Sequence, residues 1–71
     1  MKSAASRILG RNLRRACEAR EIDAAKLAEL TGRGRRSVER MLAGESDPNL
    51  SFLDRVARSI DIPLTELLRG L

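Results

Sequence analysis

The reading of the chain turns on Asp23-Ala24-Ala25-Lys26-Leu27-Ala28-Glu29-Leu30-Thr31-Gly32-Arg33-Gly34-Arg35-Arg36-Ser37-Val38-Glu39-Arg40-Met41-Leu42-Ala43-Gly44. Asp23 is a good N-cap, because its carboxylate can accept an N–H left without a partner in the first turn; it predicts a helix over Ala24–Thr31 with Leu27, Ala28 and Leu30 as apolar positions. Gly32 can take the positive φ that ends a helix, and Arg33-Gly34 completes the turn. A second helix is expected from about Arg35 to Ala43, stopped by Gly44. Two helices joined by so short a turn cross steeply and need a small residue where they touch, a role that falls to Ala28. Val38, Met41 and Leu42 point inward together and pin the second helix from beneath. On a helical wheel Arg36, Glu39, Arg40 and Ala43 face outward, with Arg35 at the exposed N-terminal end.

Three further helices complete the reading. The first runs from about Ser6, the candidate N-cap, to Arg20. Leu9, Leu13, Ala16 and Cys17 share its apolar face; Arg11, Arg14, Arg15 and Glu18 lie opposite, and Gly10 is a propensity cost in its first turns. After the polar loop Glu45-Ser46-Asp47-Pro48, Asn49 can cap a fourth helix with the stripe Leu50, Leu53, Val56, Ala57 and Ile60, and with Phe52 on its flank. Pro63 disfavours helical geometry at Ile62 and so breaks that helix. A fifth, short helix carries Leu64, Leu67, Leu68 and Leu71. The expected fold is therefore all-α, a five-helix bundle forming one domain over residues 1–71, with the helix-turn-helix at 23–44.

Seventy-one residues allow one domain at most, and 42% hydrophobic content is enough for one core. Phe52 is the only aromatic residue and Cys17 the only cysteine. One cysteine closes no intrachain disulfide, and no Cys/His set exists for zinc; Cys17 reads as a small core residue. No apolar run has spanning length and no signal-peptide pattern is present, so a soluble, cytoplasmic, nucleoid-associated protein is expected, with no membrane partner. Fourteen basic residues against ten acidic ones give +4 and a pI of about 10.6. Basicity alone implies only a polyanionic partner. Its placement says more: between Arg33 and Arg40, four arginines face one glutamate. Catalysis has nothing to rest on, since there is no histidine, no glycine-rich phosphate loop and no nucleophile beside a base; neither an enzyme nor a cofactor is expected.

The frame Leu27-Ala28, Gly32, Val38, Met41 and Gly44, continued by Pro48 with its following helix and by Leu64-Thr65-Glu66-Leu67, resembles the Cro/repressor-type helix-turn-helix family, the XRE class. The likeness spans roughly residues 8 to 68 without a gap. It implies a phage-repressor-like domain, operator DNA as ligand, a third helix in the major groove and a homodimer on a palindromic double-stranded site. By motif position Arg35, Arg36, Ser37, Glu39 and Arg40 would face the bases. Three departures stand out. Ala24 replaces the family's glutamine after the cap of helix two, so that contact is lost or is supplied by Lys26. Arg33 occupies a normally apolar turn position, from which a long side chain can snorkel into water or onto a phosphate. Cys17 and Leu42 replace an arginine–glutamate pair; because both partners are apolar, no buried charge is stranded.

Arginine suits guanine because its two parallel donors match O6 and N7. Arg36 and Arg40 are the first choices for that role, being most directly outward. Glu39 could accept from cytosine N4 or pair with Arg35 or Arg36, and the pairing is preferred because phosphates repel a carboxylate. Arg7, Arg11, Lys26 and Arg33 are the candidate phosphate contacts; Arg14 and Arg15 are expected to face solvent. Leu64, Leu68 or Leu71 is a candidate dimer contact. The leading expectation is a transcriptional repressor. Its rivals are an antitoxin of the same fold with a toxin partner, a protein–protein module that ignores DNA, and the DNA-binding part of a longer effector-responsive regulator.

Overall fold

The computed structural model describes residues 3–71; Met1 and Lys2, counted in the single expected domain, lie outside them. Its elements are α1 (Ala4–Ala19), α2 (Ala24–Thr31), α3 (Arg35–Leu42), α4 (Leu50–Ser59) and α5 (Leu64–Leu67). The five-helix, all-α reading is what the structure shows.

Side chains set the starts of α1, α2 and α4. Asp23 accepts the Lys26 N–H at 2.8 Å and Asn49 the Phe52 N–H at 2.8 Å, as expected of both caps. The start of α1 corrects the expectation: Ser3, not Ser6, is the cap. Ser3 Oγ accepts the Ser6 N–H at 3.0 Å while the Ser3 N–H donates to Ser6 Oγ at 2.9 Å, a reciprocal capping box that begins the helix two residues earlier than Ser6. Ser6 is buried inside the first turn.

Helix ends follow one pattern. The N–H of Ile22 donates to Cys17 O, that of Glu45 to Arg40 O and that of Ile62 to Ala57 O, each with the preceding residue at positive φ (Glu21 55°, Gly44 76°, Asp61 59°). These are Schellman closures, and at two of them the following isoleucine anchors the turn apolarly: Ile62 is buried and Ile22 packs against the core. Gly32, at φ 75°, closes α2 through its N–H to Ala28 O.

Each helix sends one near-fully buried aliphatic side chain to the centre: Leu13, Leu27, Val38, Val56 and Leu67. Leu30 and Leu50, read as apolar-face positions, are 41% and 62% exposed and lie outside the interior; Leu71, a candidate dimer contact, is 60% exposed. Phe52, placed on the flank of α4, is instead buried. Leu71 lies beyond α5, which ends at Leu67, while Leu64 and Leu68 are half-buried against the core.

Gly10 proves to be a packing requirement and not merely a cost. A Cβ there would lie 2.8 Å from Gly44 N, 2.9 Å from Gly44 Cα and 2.9 Å from Met41 O. These are backbone atoms of the end of α3, with no flexible side chain to give way. Asn12 ties the other edge of α1 down by donating to Leu67 O and Arg69 O, both at 2.8 Å.

Two outcomes follow. Gly10→Ala would gain about 1 kcal/mol of helix propensity in isolation, yet overpacking costs about 1–3 kcal/mol; its melting temperature, followed by circular dichroism, should therefore fall. A rise would mean that the α1–α3 crossing is looser than described. Burial also raises the Cys17 thiol above its ordinary pKa of 9.0, with the nearby Arg20 opposing and Glu18 adding to the rise. The folded state thus holds its proton longer than the unfolded one. The stabilising difference is intact below pH 9.0 and is lost as pH climbs toward the folded value. Denaturant titrations at increasing pH should show this alkaline decline in the wild type and a flatter limb in Cys17→Ala.

Candidate nucleic-acid interface

The site is built from the burial of α3. Val38 and Met41 are sunk in the core and Leu42 is half-buried against it, whereas Arg35, Arg36, Ser37, Glu39 and Arg40 are all exposed. With 100° between successive residues, Arg35, Arg36, Glu39 and Arg40 share the face opposite the buried pair, and Ser37 borders it. α3 packs on α1 and α2, and the residues of this face all stay exposed, so it is uncovered.

Within the face, Arg35 Nε lies 3.2 Å from Glu39 Oε2, so the carboxylate is engaged one turn along its own helix, with Arg35 as the partner. Among the described residues, neither Arg36 nor Arg40 forms an ion pair. Their guanidiniums thus keep their donor edges for an external acceptor.

The candidate phosphate contacts fall in different surroundings. Arg7 runs beside the end of α3: its Cα is 3.1 Å from where a Cβ on Gly44 would sit. Lys26 stands in the first turn of α2, its ammonium 3.3 Å from Glu29 Oε1 on an exposed surface. Arg11 reaches the C-terminal turn, with Nη2 3.5 Å from the Cβ position of Gly70. Arg33 lies with its guanidinium carbon 4.0 Å from the centroid of the Phe52 ring. The structure therefore gathers the α3 residues on one face, with Arg7 beside the end of that helix, and turns the Arg11 and Arg33 guanidiniums toward other parts of the molecule.

One residue escaped sequence reasoning. Arg14, expected in solvent, is exposed but donates from Nη1 to the carbonyl of Leu42 at the last turn of α3. Backbone N–H groups occupy Glu39 O, Arg40 O and Met41 O, and Arg14 meets the remaining Leu42 O at the negative end of the helix dipole. The expected replacement of an arginine–glutamate pair by Cys17 and Leu42 is thus accompanied by a cation reaching the same helix end from Arg14. No sequence signal marks it, since the acceptor is backbone.

No helix is long and apolar enough to cross a membrane, and among the described residues no cluster of three or more His, Cys, Asp or Glu could hold a metal. An exposed arginine-rich helix held up after a tight glycine turn has the shape and charge expected of a helix-turn-helix DNA-binding domain. Residues 8–69 match the helix-turn-helix domain family, and the chain belongs to that family, in its Cro/repressor (XRE) type. Among solved structures it is similar to the restriction-modification controller protein C.AhdI from Aeromonas hydrophila, at a TM-score of 0.86 and 28% identity, over 92% of this chain and 98% of that one. No curated protein matches the chain.

Replacing Arg14 by methionine should keep its aliphatic contacts and remove the cap on α3. A loss of about 0.3–1 kcal/mol is expected, visible as a lower melting temperature and faster amide exchange at the end of α3. Unchanged exchange there would show that the contact contributes nothing.

Proposed function

We propose that this protein is a sequence-specific repressor that binds a palindromic operator as a homodimer, with α3 in the major groove. The observation that carries the reading is the uncovered face of α3, where Arg36 and Arg40 stand without carboxylate partners while Val38 and Met41 hold the opposite side in the core. Arg36 and Arg40 pair with guanine edges. Arg35, braced by Glu39, and Ser37 complete the base-facing set. Arg7 and Lys26 contribute phosphate contacts, which give affinity and salt sensitivity without sequence preference; Arg11, turned to the C-terminal turn, is left out of this set. Two copies with their α3 helices about 34 Å apart would read half-sites one helical turn apart. The protein acts by occupancy and not by catalysis, in the cytoplasm.

The likeness to a restriction-modification controller protein favours a more particular setting, control of restriction and modification genes. Such genes adjacent to this one would support it; a toxin-like reading frame there would favour the antitoxin reading instead.

Recovery of bound sequences from random duplex DNA should yield a palindromic motif. The double variant Arg36→Ala/Arg40→Ala should lose the preference for that motif by at least about 10-fold, since each bidentate pair discriminates by about 1–3 kcal/mol, with unchanged helical circular dichroism. Retained preference would move the reading face elsewhere, and failure to enrich any motif would support a protein-binding module.

A further inference from the structure

The two ends of α3 are held by unlike means. Its C-terminal end is fastened three times over: Gly44 sits against Gly10, Arg14 caps Leu42, and Met41 is buried. Its N-terminal half is held by α2 and by the buried Val38, but its first turn has no side-chain cap. Gly34 is the N-cap and offers no side-chain hydrogen bond to the first turn. Neither Gly32 nor Gly34 has any heavy atom within 4 Å of where a Cβ would be, so the turn stands clear of the body at both glycines. Arg33 is the residue between them. Its guanidinium lies over the ring of Phe52, a residue of α4 that is only 6% exposed.

We propose that Arg33 is a positioning residue, a flat cover clamped on Phe52 that fastens the groove-entering end of α3 to α4, and not a phosphate ligand. A guanidinium suits the place because it is planar and weakly hydrated, lies flat on a ring and keeps its donor edges in water. An apolar turn residue would cover Phe52 as well, so charge is incidental to the job. The only aromatic ring of the chain stands where it meets the arginine flanked by two glycines. Arg33 thereby leaves the phosphate-contacting set that its charge alone suggests. For DNA the inference rests on the reading of α3 given above; for the fold it does not.

The test has two arms. Melting by circular dichroism is measured for Arg33→Ala, Phe52→Leu and the double variant. The double variant should lose less than the sum of the single losses, by about 2–8 °C. Should Phe52→Leu fail to fold, Arg33→Met decides the arm: it covers the ring without charge and should recover most of the melting temperature lost in Arg33→Ala. Additive losses, or no recovery by methionine, overturn the clamp. In the second arm, anisotropy of a labelled random-sequence duplex is followed against salt for wild type and Arg33→Met. The clamp predicts the same dependence of log affinity on log salt, whereas a phosphate ligand predicts a slope smaller by about 0.9, which overturns it. If the wild type binds no duplex, the DNA reading fails, while the melting arm still decides the clamp.

Discussion

The molecule is organised around a place where backbone meets backbone, the crossing of α1 at Gly10 with the end of α3 at Met41–Gly44. A Cβ on Gly10 would stand 2.8–2.9 Å from a peptide nitrogen, an α-carbon and a carbonyl oxygen. Repulsion there is steep and no side-chain rotation relieves it, so only glycine lets the two backbones come this near. The crossing therefore sets how near α1 can come, and with that the angle at which α3 leaves the core. Val38 and Met41 then face the interior, and the arginines have nowhere to point but outward. The positive φ of Gly44 serves the same contact, because it turns the chain away from α1 at the residue of closest approach.

Among the described residues, none of the ion pairs lies in the interior built on that crossing. Lys26–Glu29, Arg35–Glu39 and Asp54–Arg58 all join exposed side chains one turn apart. Pairs of this kind contribute about 0.3–0.5 kcal/mol each, too little to decide the fold, whereas burying a leucine or valine contributes about 1.5–3 kcal/mol. Stability thus lives in aliphatic packing and charge is left to the surface. This separation lets the outer face of α3 vary in sequence at small cost to the scaffold. Buried polar groups are satisfied locally: the Thr31 hydroxyl donates to Leu27 O at 2.8 Å, and among the described residues no buried side-chain nitrogen or oxygen lacks a partner.

What was legible in the sequence is what depends on near neighbours. Asp23, Asn49 and Gly32 announce helix ends because caps and left-handed turns involve residues three or four apart. The inward Val38 and Met41 follow from helical periodicity alone. Ser3 and Ser6 show the limit of that logic, since either serine can cap and the choice falls to the reciprocal bond between them. Leu30 and Leu50 were misread because apolar character is not burial: a helix of eight or ten residues buries one face, and these side chains lie off it. Gly10, Asn12 and Arg14 were opaque for a different reason. Their partners are backbone atoms far along the chain, which leave no residue pattern to detect.

The unequal fastening of α3 bears on how such a helix finds its register on DNA. At its C-terminal end a displacement drives backbone into backbone, so that end behaves as a fixed pivot. At its N-terminal end the restraint is a ring-stacked cation between two glycines, an interaction whose energy changes gently with distance. Small rotations about the pivot move Arg35 and Arg36 more than Arg40, because displacement grows with distance from the fixed end. If α3 enters a groove as proposed, Arg40 would be the stiffer contact, and Arg35 and Arg36 would have more room to adjust, with the Glu39 pairing limiting how far Arg35 can stray.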